Sequence, residues 1–136
     1  MTLSDDITNI LSAIVEKVKS VIEATYIGDR GVIKQYPVAL VKPEGVAMRP
    51  LGPNRTAYEY SFSIDVGEKG NTYEAALKSV ITVAQNVQEV LATDRHLSNT
   101  ADGLEVDEIS FVFEPYETFL ICYARLSVRV LKYVVP

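Results

Sequence analysis

The sequence is poor in the residue types from which catalytic and metal centres are built. It contains one cysteine, Cys122, and one histidine, His96, among 136 residues. A single cysteine excludes an intramolecular disulfide framework, so a reducing cytoplasm is the simplest setting for the chain. His96 lies in a polar stretch beside Asp94 and Arg95, without the further imidazole or thiolate ligands that a zinc site needs. We therefore predict no metal site, no cofactor and no catalytic residues.

Other absences narrow the function classes further. No run approaches the ~20 apolar residues that a membrane-spanning helix requires. The first ten residues, MTLSDDITNI, are acidic and lack the basic region of a signal peptide. A net charge of −5 argues against a dedicated nucleic-acid-binding domain, although a mildly acidic wall allows a duplex to slide past it. The segments GDRG and GEKGN lack the spacing of a phosphate-binding loop. We expect a protein that is made and used in the cytoplasm.

Apolar residues at three- and four-residue spacing predict two amphipathic helices. The first is expected over Asp5–Thr25, with Ser4 as its N-cap and aspartates in its first turn. The second is expected over Thr72–Leu91, after a capping box formed by Asn71 and Glu74. Its buried stripe consists of Ala76, Leu77, Val80, Ile81, Ala84, Val87 and Leu91.

Four strands are predicted before and after the second helix. They cover Pro37–Val41, Thr56–Val66, Gly103–Glu114 and Phe119–Tyr133. Thr56–Val66 alternates strictly between apolar and polar residues, and a phase shift at Asp107-Glu108 indicates a bulge in the next strand. The order of elements predicts an α+β fold, with two helices packed on one face of a mostly antiparallel, twisted sheet. A chain of this length is expected to form one domain over residues 1–136.

The segment from Lys42 to Arg55 contains three prolines and two glycines, which makes a regular element unexpected. It is long for a connection in a small domain, and such segments are often functional. The alternatives are a plain surface loop or a hairpin with edge strands around Val46–Met48. If the segment is functional, its apolar and basic residues are candidates for a subunit or tube interface: Val46, Met48, Arg49, Leu51 and Arg55.

The remaining chemically notable residues have structural interpretations. Cys122 lies in mid-strand at the same parity as Leu120 and Ala124, which predicts a buried thiol rather than a nucleophile. A cluster of carboxylates precedes and enters the third predicted strand, and strand alternation places its members on opposite faces. A solvated or inter-subunit role is therefore favoured over an acid–base pair. This cluster consists of Asp102, Glu105, Asp107 and Glu108.

The order of the elements is more informative than any one motif. An N-terminal amphipathic helix leads to the strand PVALV, a proline- and glycine-rich segment and the alternating strand YEYSFSIDV. The helix TYEAALKSVITVAQNVQEVL follows, and its exit contains Asp94, Leu97 and Gly103 before the closing strand ICYARLSVRVLKYV. Over nearly its whole length the chain thereby resembles the tail terminator, or tail completion, proteins of long-tailed bacteriophages. That family usually has glycine directly after the loop leucine, where this chain has Ser98-Asn99.

The resemblance implies a structural virion protein without enzymatic activity. Six copies would form a ring on the end of the finished tail tube, stop polymerisation of the tube protein and present their other face to head or neck completion proteins. DNA would pass through the bore without sequence-specific binding, and the ring would be assembled in the host cytoplasm. Two alternatives remain open. One is another ring of the neck region, such as a head–tail joining adaptor or a tail tube subunit. The other is a small cytoplasmic binding module or enzyme, which would need a defined pocket.

Overall fold

Two helices and five strands make up the part of the chain that is described by a computed structural model, residues 2–29, 31 and 33–134. In chain order the elements are α1 (Leu3–Lys19), β1 (Ala24–Ile27), β2 (Val38–Gly52), β3 (Arg55–Gly70), α2 (Tyr73–Ala92), β4 (Gly103–Pro115) and β5 (Leu120–Val134). Neither helix in these described ranges is long and apolar enough to cross a membrane.

The five strands form one mixed sheet in the order β1-β2-β3-β5-β4. β1 runs parallel to β2, and the other three pairings are antiparallel. The centre of the sheet is the long β3–β5 ladder, which runs from Thr56 opposite Val134 to Gly70 opposite Leu120. The predicted α+β class with a mostly antiparallel sheet is confirmed.

Both helices pack on the same face of this sheet, which we call the helix face. α1 contacts β2, α2 contacts β3 and β5, and the two helices contact each other. The apolar parity of β3 and β5 turns toward them, because alternate side chains of a strand point to opposite faces. Fully buried side chains at this junction include Ile10, Ile14, Tyr60, Ile64, Val87, Leu91, Cys122 and Leu126. The opposite face of the sheet has no helix among the described residues, and we call it the open face.

The predicted end of the first helix is wrong. α1 stops at Lys19 with Ser20 as its C-cap, and Ala24–Ile27 forms β1 instead of a last helical turn. β1 pairs in parallel with Val38–Val41, so its backbone groups bond to a strand that is distant in sequence. The N-cap is Thr2 rather than Ser4, and its side chain accepts a hydrogen bond from the backbone of Asp5.

The Lys42–Arg55 segment is also regular, contrary to the expectation of an irregular loop. It forms the outer part of the β2–β3 hairpin, as the second alternative proposed. β3 is held on its other side by β5 and gives β2 a fixed template along this length. Pro43 and Pro50 are tolerated because β2 is an edge strand here, and each is followed by a register shift that absorbs the irregularity.

Two finer predictions about the sheet are correct. β4 shifts register against β5 between Val106 and Glu108, which is the bulge expected from the change of phase in the sequence. Cys122 is fully buried on the helix face, and burial raises the pKa of its thiol. The side chain therefore acts as a packed apolar group rather than as a reactive thiolate.

Candidate functional site

The outer part of the β2–β3 hairpin leaves one edge of the sheet open. β1 covers β2 only along Val38–Val41, and the last backbone hydrogen bond on that side runs from Gly28 to Val41. Beyond this point, β2 has a partner on its β3 side and no strand partner on its outer side within the described residues. We call residues 45–55 the hairpin tip.

Two of the five candidate interface residues lie on the helix face of the hairpin tip. Val46 stands opposite Tyr60, is half-buried and packs against the main core. Met48 stands opposite Tyr58, and 62% of its surface is exposed. The structure therefore gives Val46 a role in the core of the single subunit and leaves Met48 available to a partner.

The other three candidates lie on the open face or at the turn of the hairpin. Arg49 is exposed and stands opposite Ala57. Leu51 lies at the register shift next to the turn and is 47% exposed. Arg55 begins β3, and its guanidinium carbon is 4.3 Å from the centre of the Tyr133 ring. The hairpin tip thus exposes apolar and cationic groups on both faces rather than one continuous patch, and it contains no carboxylate.

Sequence reasoning missed an ion-pair network in the middle of the open face. Arg125 donates two hydrogen bonds to Asp65, from Nε at 2.7 Å and from Nη2 at 3.0 Å. Lys42 Nζ lies 3.1 Å from a carboxylate oxygen of Asp65 and 3.1 Å from one of Asp29. Burial disfavours the charged form of Asp65, but the hydrogen bonds from Arg125 and Lys42 outweigh it and hold the pKa of this carboxyl below its usual range. These charges satisfy one another and fasten β2, β3 and β5 together.

A second network surrounds Arg129 near the β4 bulge. Its guanidinium donates to Glu59 at 3.1 Å, to Glu105 at 2.7 Å and to Asp107 at 3.0 Å. Hydrogen bonding to Asp107 and then to Glu59 raises the pKa of Arg129 still further above its usual range. Glu105 and Asp107 lie on the same face, as their two-residue spacing predicts, and the bulge brings Glu108 to that face as well, which simple alternation does not predict. Two members of the predicted carboxylate cluster therefore bind this arginine.

An open groove of about 760 Å³ lies on the open face at the end of the sheet remote from the hairpin tip. Aromatic side chains form much of its wall: Tyr36, Tyr116, Phe119 and Tyr123. The Tyr123 ring lies over Gly67 of the neighbouring strand, where a Cβ would meet its Cε1 atom at 2.7 Å. Lys69 Nζ is 4.1 Å from the centre of the Phe119 ring. Asp29, Lys42, Asp65 and Arg125, which line the groove, are paired with one another within the fold.

A buried polar contact joins the two ends of the described chain. Asp6 of α1 is 5% exposed, and Lys132 Nζ of β5 lies 2.7 Å from its carboxylate. The Tyr60 hydroxyl lies 3.4 Å from the other carboxylate oxygen. Burial, with the nearby Asp6 charge, raises the pKa of Tyr60 to about 12. The cluster lies against the core and fixes the position of α1 on the sheet.

The loop between α2 and β4 contains the aspartate and leucine of the resemblance. Leu97 is fully buried, and the Asp94 carboxylate accepts a hydrogen bond from the Ser98 backbone at 2.9 Å and pairs with Lys17 at 3.1 Å. Leu97, Ser98 and Asn99 all have positive φ angles, of 46°, 55° and 71°. Glycine adopts this backbone region most easily, and Asn tolerates it better than most residues. The loop therefore has a left-handed turn at the place where the resembled family usually has glycine.

The two residues with intrinsic chemical reactivity are not brought together. His96 is partly buried, with Nδ1 3.2 Å from the Ala101 carbonyl oxygen, whereas Cys122 lies under the helices. Among residues 2–29, 31 and 33–134, no group of three or more His, Cys, Asp and Glu side chains is arranged to hold a metal ion.

Comparison with protein-family models and with curated protein sequences found no match to this chain.

Proposed function

We propose that this chain is a structural, non-enzymatic virion protein that forms a hexameric ring on the end of a phage tail tube. The ring stops addition of tube subunits and presents its other face to the head or neck completion proteins. DNA passes through its bore without sequence-specific binding. The order of elements along the chain and its resemblance to the tail terminator family motivate the proposal.

The hairpin tip is the structural observation that most supports it. Met48 and Leu51 expose apolar surface at the end of the β2–β3 hairpin, and the outer edge of β2 beside them has no strand partner within the described residues. Exposed apolar groups on an otherwise well-buried domain are typical of a surface that contacts another protein. A tail tube end and neighbouring ring subunits are the partners that the proposal assigns to the hairpin tip.

The charge distribution of the open face is compatible with a passive channel wall. Its central cations, Lys42, Arg125 and Arg129, are each paired with carboxylates of the same subunit. Such cations are less available to phosphates, and the net charge of −5 repels DNA weakly. A duplex in contact with such a wall slides rather than binds.

The proposal is tested with tail tubes polymerised from the tube protein of the same phage. Addition of the chain to growing tubes is expected to stop their elongation, and negative-stain images are expected to show added density at one end. Tubes grown at the same concentration of tube protein without the chain provide the control. Tubes that continue to lengthen at saturating concentrations of the folded chain would refute the proposed function.

The groove on the open face favours one other candidate function, a small binding module. Its aromatic wall and concave shape are features of ligand sites. Under that alternative, the Tyr123 and Tyr116 ring resonances would shift on titration with a small-molecule library, and the chain would not affect tube length. Under the ring proposal, tube length changes and no soluble small molecule is required.

A further inference from the structure

We infer that the exposed edge strand β4 is the surface that receives the hairpin tip of a second copy of this chain. The inference rests on the proposed ring and assigns the contact between neighbouring subunits. It joins two surfaces that the fold leaves open at opposite edges of one sheet.

The first surface is β4 with the turn that follows it. β4 pairs with β5 on one side, and its other side has no strand partner within the described residues. Apolar groups are exposed along this edge on both faces, with Phe111 at 42%, Val112 at 58% and Tyr116 at 51%. Residues 103–118 contain five carboxylates and no cation. Glu105 and Asp107 pair with Arg129, whereas the other three, Glu108, Glu114 and Glu117, have no ion-pair partner among the described residues.

The second surface, the hairpin tip, also exposes apolar groups beside charged ones, but its charges are positive. Met48 and Leu51 expose apolar surface, and Arg49 and Arg55 are the charged groups beside them. Arg49 and Arg55 lie on the open face, as Glu108 and Glu114 of β4 do according to the register of the sheet. Charge complementarity of this kind selects a partner and its orientation.

The topology of the sheet prevents the two surfaces from meeting within one chain. β3 and β5 lie between β2 and β4, so the hairpin tip and β4 belong to opposite edges. Contact between them is therefore possible only between copies, and each copy has one of each surface. Such a head-to-tail contact is heterologous, and it generates a ring when the rotation closes.

Side chains, rather than a continuous backbone ladder, provide this contact. Pro43 and Pro50 remove backbone donors from β2, and the bulge at Val106/Glu108 interrupts β4. Both features are devices by which edge strands avoid indiscriminate pairing. The specificity of the contact then comes from the arginines and carboxylates, which makes it testable by charge exchange.

The test uses two charge-reversed variants of the full chain. Arg49→Glu with Arg55→Glu makes the hairpin tip acidic, and Glu108→Lys with Glu114→Lys makes β4 basic. Each variant alone is expected to lose association by more than about tenfold, because like charges then face each other. An equimolar mixture is expected to regain association, because the tip of each variant then meets a β4 of opposite charge. In mixed rings the two variants alternate, so only even-numbered rings close.

Sedimentation velocity and mass photometry at high protein concentration measure the association. Lys34→Glu with Lys78→Glu changes the net charge by the same amount as the hairpin-tip variant, at exposed positions elsewhere, and is expected to associate like the wild type. Recovery in the mixture, with neither variant associating alone, supports the inference. Wild-type chains that do not associate, equal association of all variants, or no recovery on mixing would each overturn it.

Cross-linking provides a second measurement that does not depend on charge. Cys122 is buried, so thiols introduced by Leu51→Cys and Val112→Cys are the accessible ones. A short bis-maleimide is expected to give a ladder ending in a closed oligomer for the double variant, and at most dimers for each single variant. A double variant that gives no more than dimers contradicts the inference.

The interface assignment and the proposed function can fail separately. If wild-type rings cap tubes but the charge exchange has no effect on association, the interface assignment fails and the proposed function stands. If the charge exchange restores association but tube length is unaffected, the interface assignment stands and the proposed function fails.

Discussion

Replacing Met48 and Leu51 together with serine separates the stability of the subunit from its assembly. The two side chains are 62% and 47% exposed, so roughly half of their surface is free to be covered by a partner. Full burial of such a side chain contributes about 1.5–3 kcal/mol, and burial of the exposed half contributes about 1–1.5 kcal/mol each. The double variant is therefore expected to lose about 2–3 kcal/mol per subunit contact, which is a factor of about 30–150 in affinity.

The free energy of unfolding of the single subunit is expected to fall by less than this. By area the buried halves of the two side chains contribute at most about 2–3 kcal/mol to folding, and the compactness of the unfolded chain reduces this to about 1–2 kcal/mol. Urea unfolding measures this cost, and the concentration that caps half of the tube ends measures assembly. Ile81→Ser removes an apolar side chain of similar exposure, 43%, from α2 and is the matched control. It is expected to lower stability without changing the capping concentration.

Two results would refute this reasoning. Unchanged capping by the double variant would show that the hairpin tip makes no contact in the assembly. A loss of folding free energy well above 2 kcal/mol would show that the tip belongs to the core of the single subunit, and that the apolar exposure of Met48 and Leu51 is not available to a partner.

Three further predictions follow from particular contacts. Cys122→Ser is expected to destabilise the fold by about 1–3 kcal/mol, because it buries a hydroxyl without an assured partner, whereas Cys122→Ala is expected to destabilise it less. Chemical denaturation measures both variants, and equal destabilisation would contradict the assignment of Cys122 as a packed thiol. Arg125 holds the pKa of Asp65 below its unfolded value, so the contribution of this ion pair to stability is present above about pH 4 and is lost as the pH falls through the lower folded pKa. Asp65→Asn is expected to reduce the loss of unfolding free energy between neutral and acidic pH. An unchanged loss would count against the ion pair. Ser98→Gly is expected to stabilise the fold by up to about 1 kcal/mol in thermal melts, because glycine adopts the left-handed backbone there without strain, and a clear loss would indicate that the Ser98 side chain contributes more than its backbone costs.

Local patterns predicted the elements that are governed by local physics. The helical spacing of apolar residues predicted α2 to within one residue at each end, and strict alternation identified the inward face of β3. The phase change at Asp107-Glu108 located the bulge, because a strand with one buried face must restore its parity. The parity of Cys122 placed it in the core for the same reason.

The elements that were missed depend on partners distant in sequence. β1 is stabilised by parallel pairing with Val38–Val41; Thr25, Tyr26 and Ile27 favour a strand, but four residues directly after a helical pattern are too few to indicate one. The prolines of the hairpin argue against a strand locally, but β3 is held in place by β5 and accepts an edge strand with bulges. Tertiary context overrode local propensity in the hairpin.

The candidate site was predicted in part. The hairpin residues were identified as an exposed group, but their division between the two faces requires the β2–β3 register. The pairing of Arg125 with Asp65 likewise requires the β3–β5 register, which links positions sixty residues apart. One signal was present in the sequence, because Arg125 and Arg129 continue the outward parity of β5 and Glu59 and Asp65 that of β3. Opposite charges on two outward faces are a pattern from which neighbouring strands can be inferred.

Imaging of tail tube ends in the presence of the chain tests the central proposal most directly. Cryo-electron microscopy of tubes from the same phage, with the wild-type chain in excess, is expected to show a six-fold ring on one end and tubes that no longer lengthen. The hairpin tip of each subunit is expected to lie against β4 of its neighbour. Tube ends without added density, or a chain that remains a closed dimer while tubes continue to grow, would contradict the account.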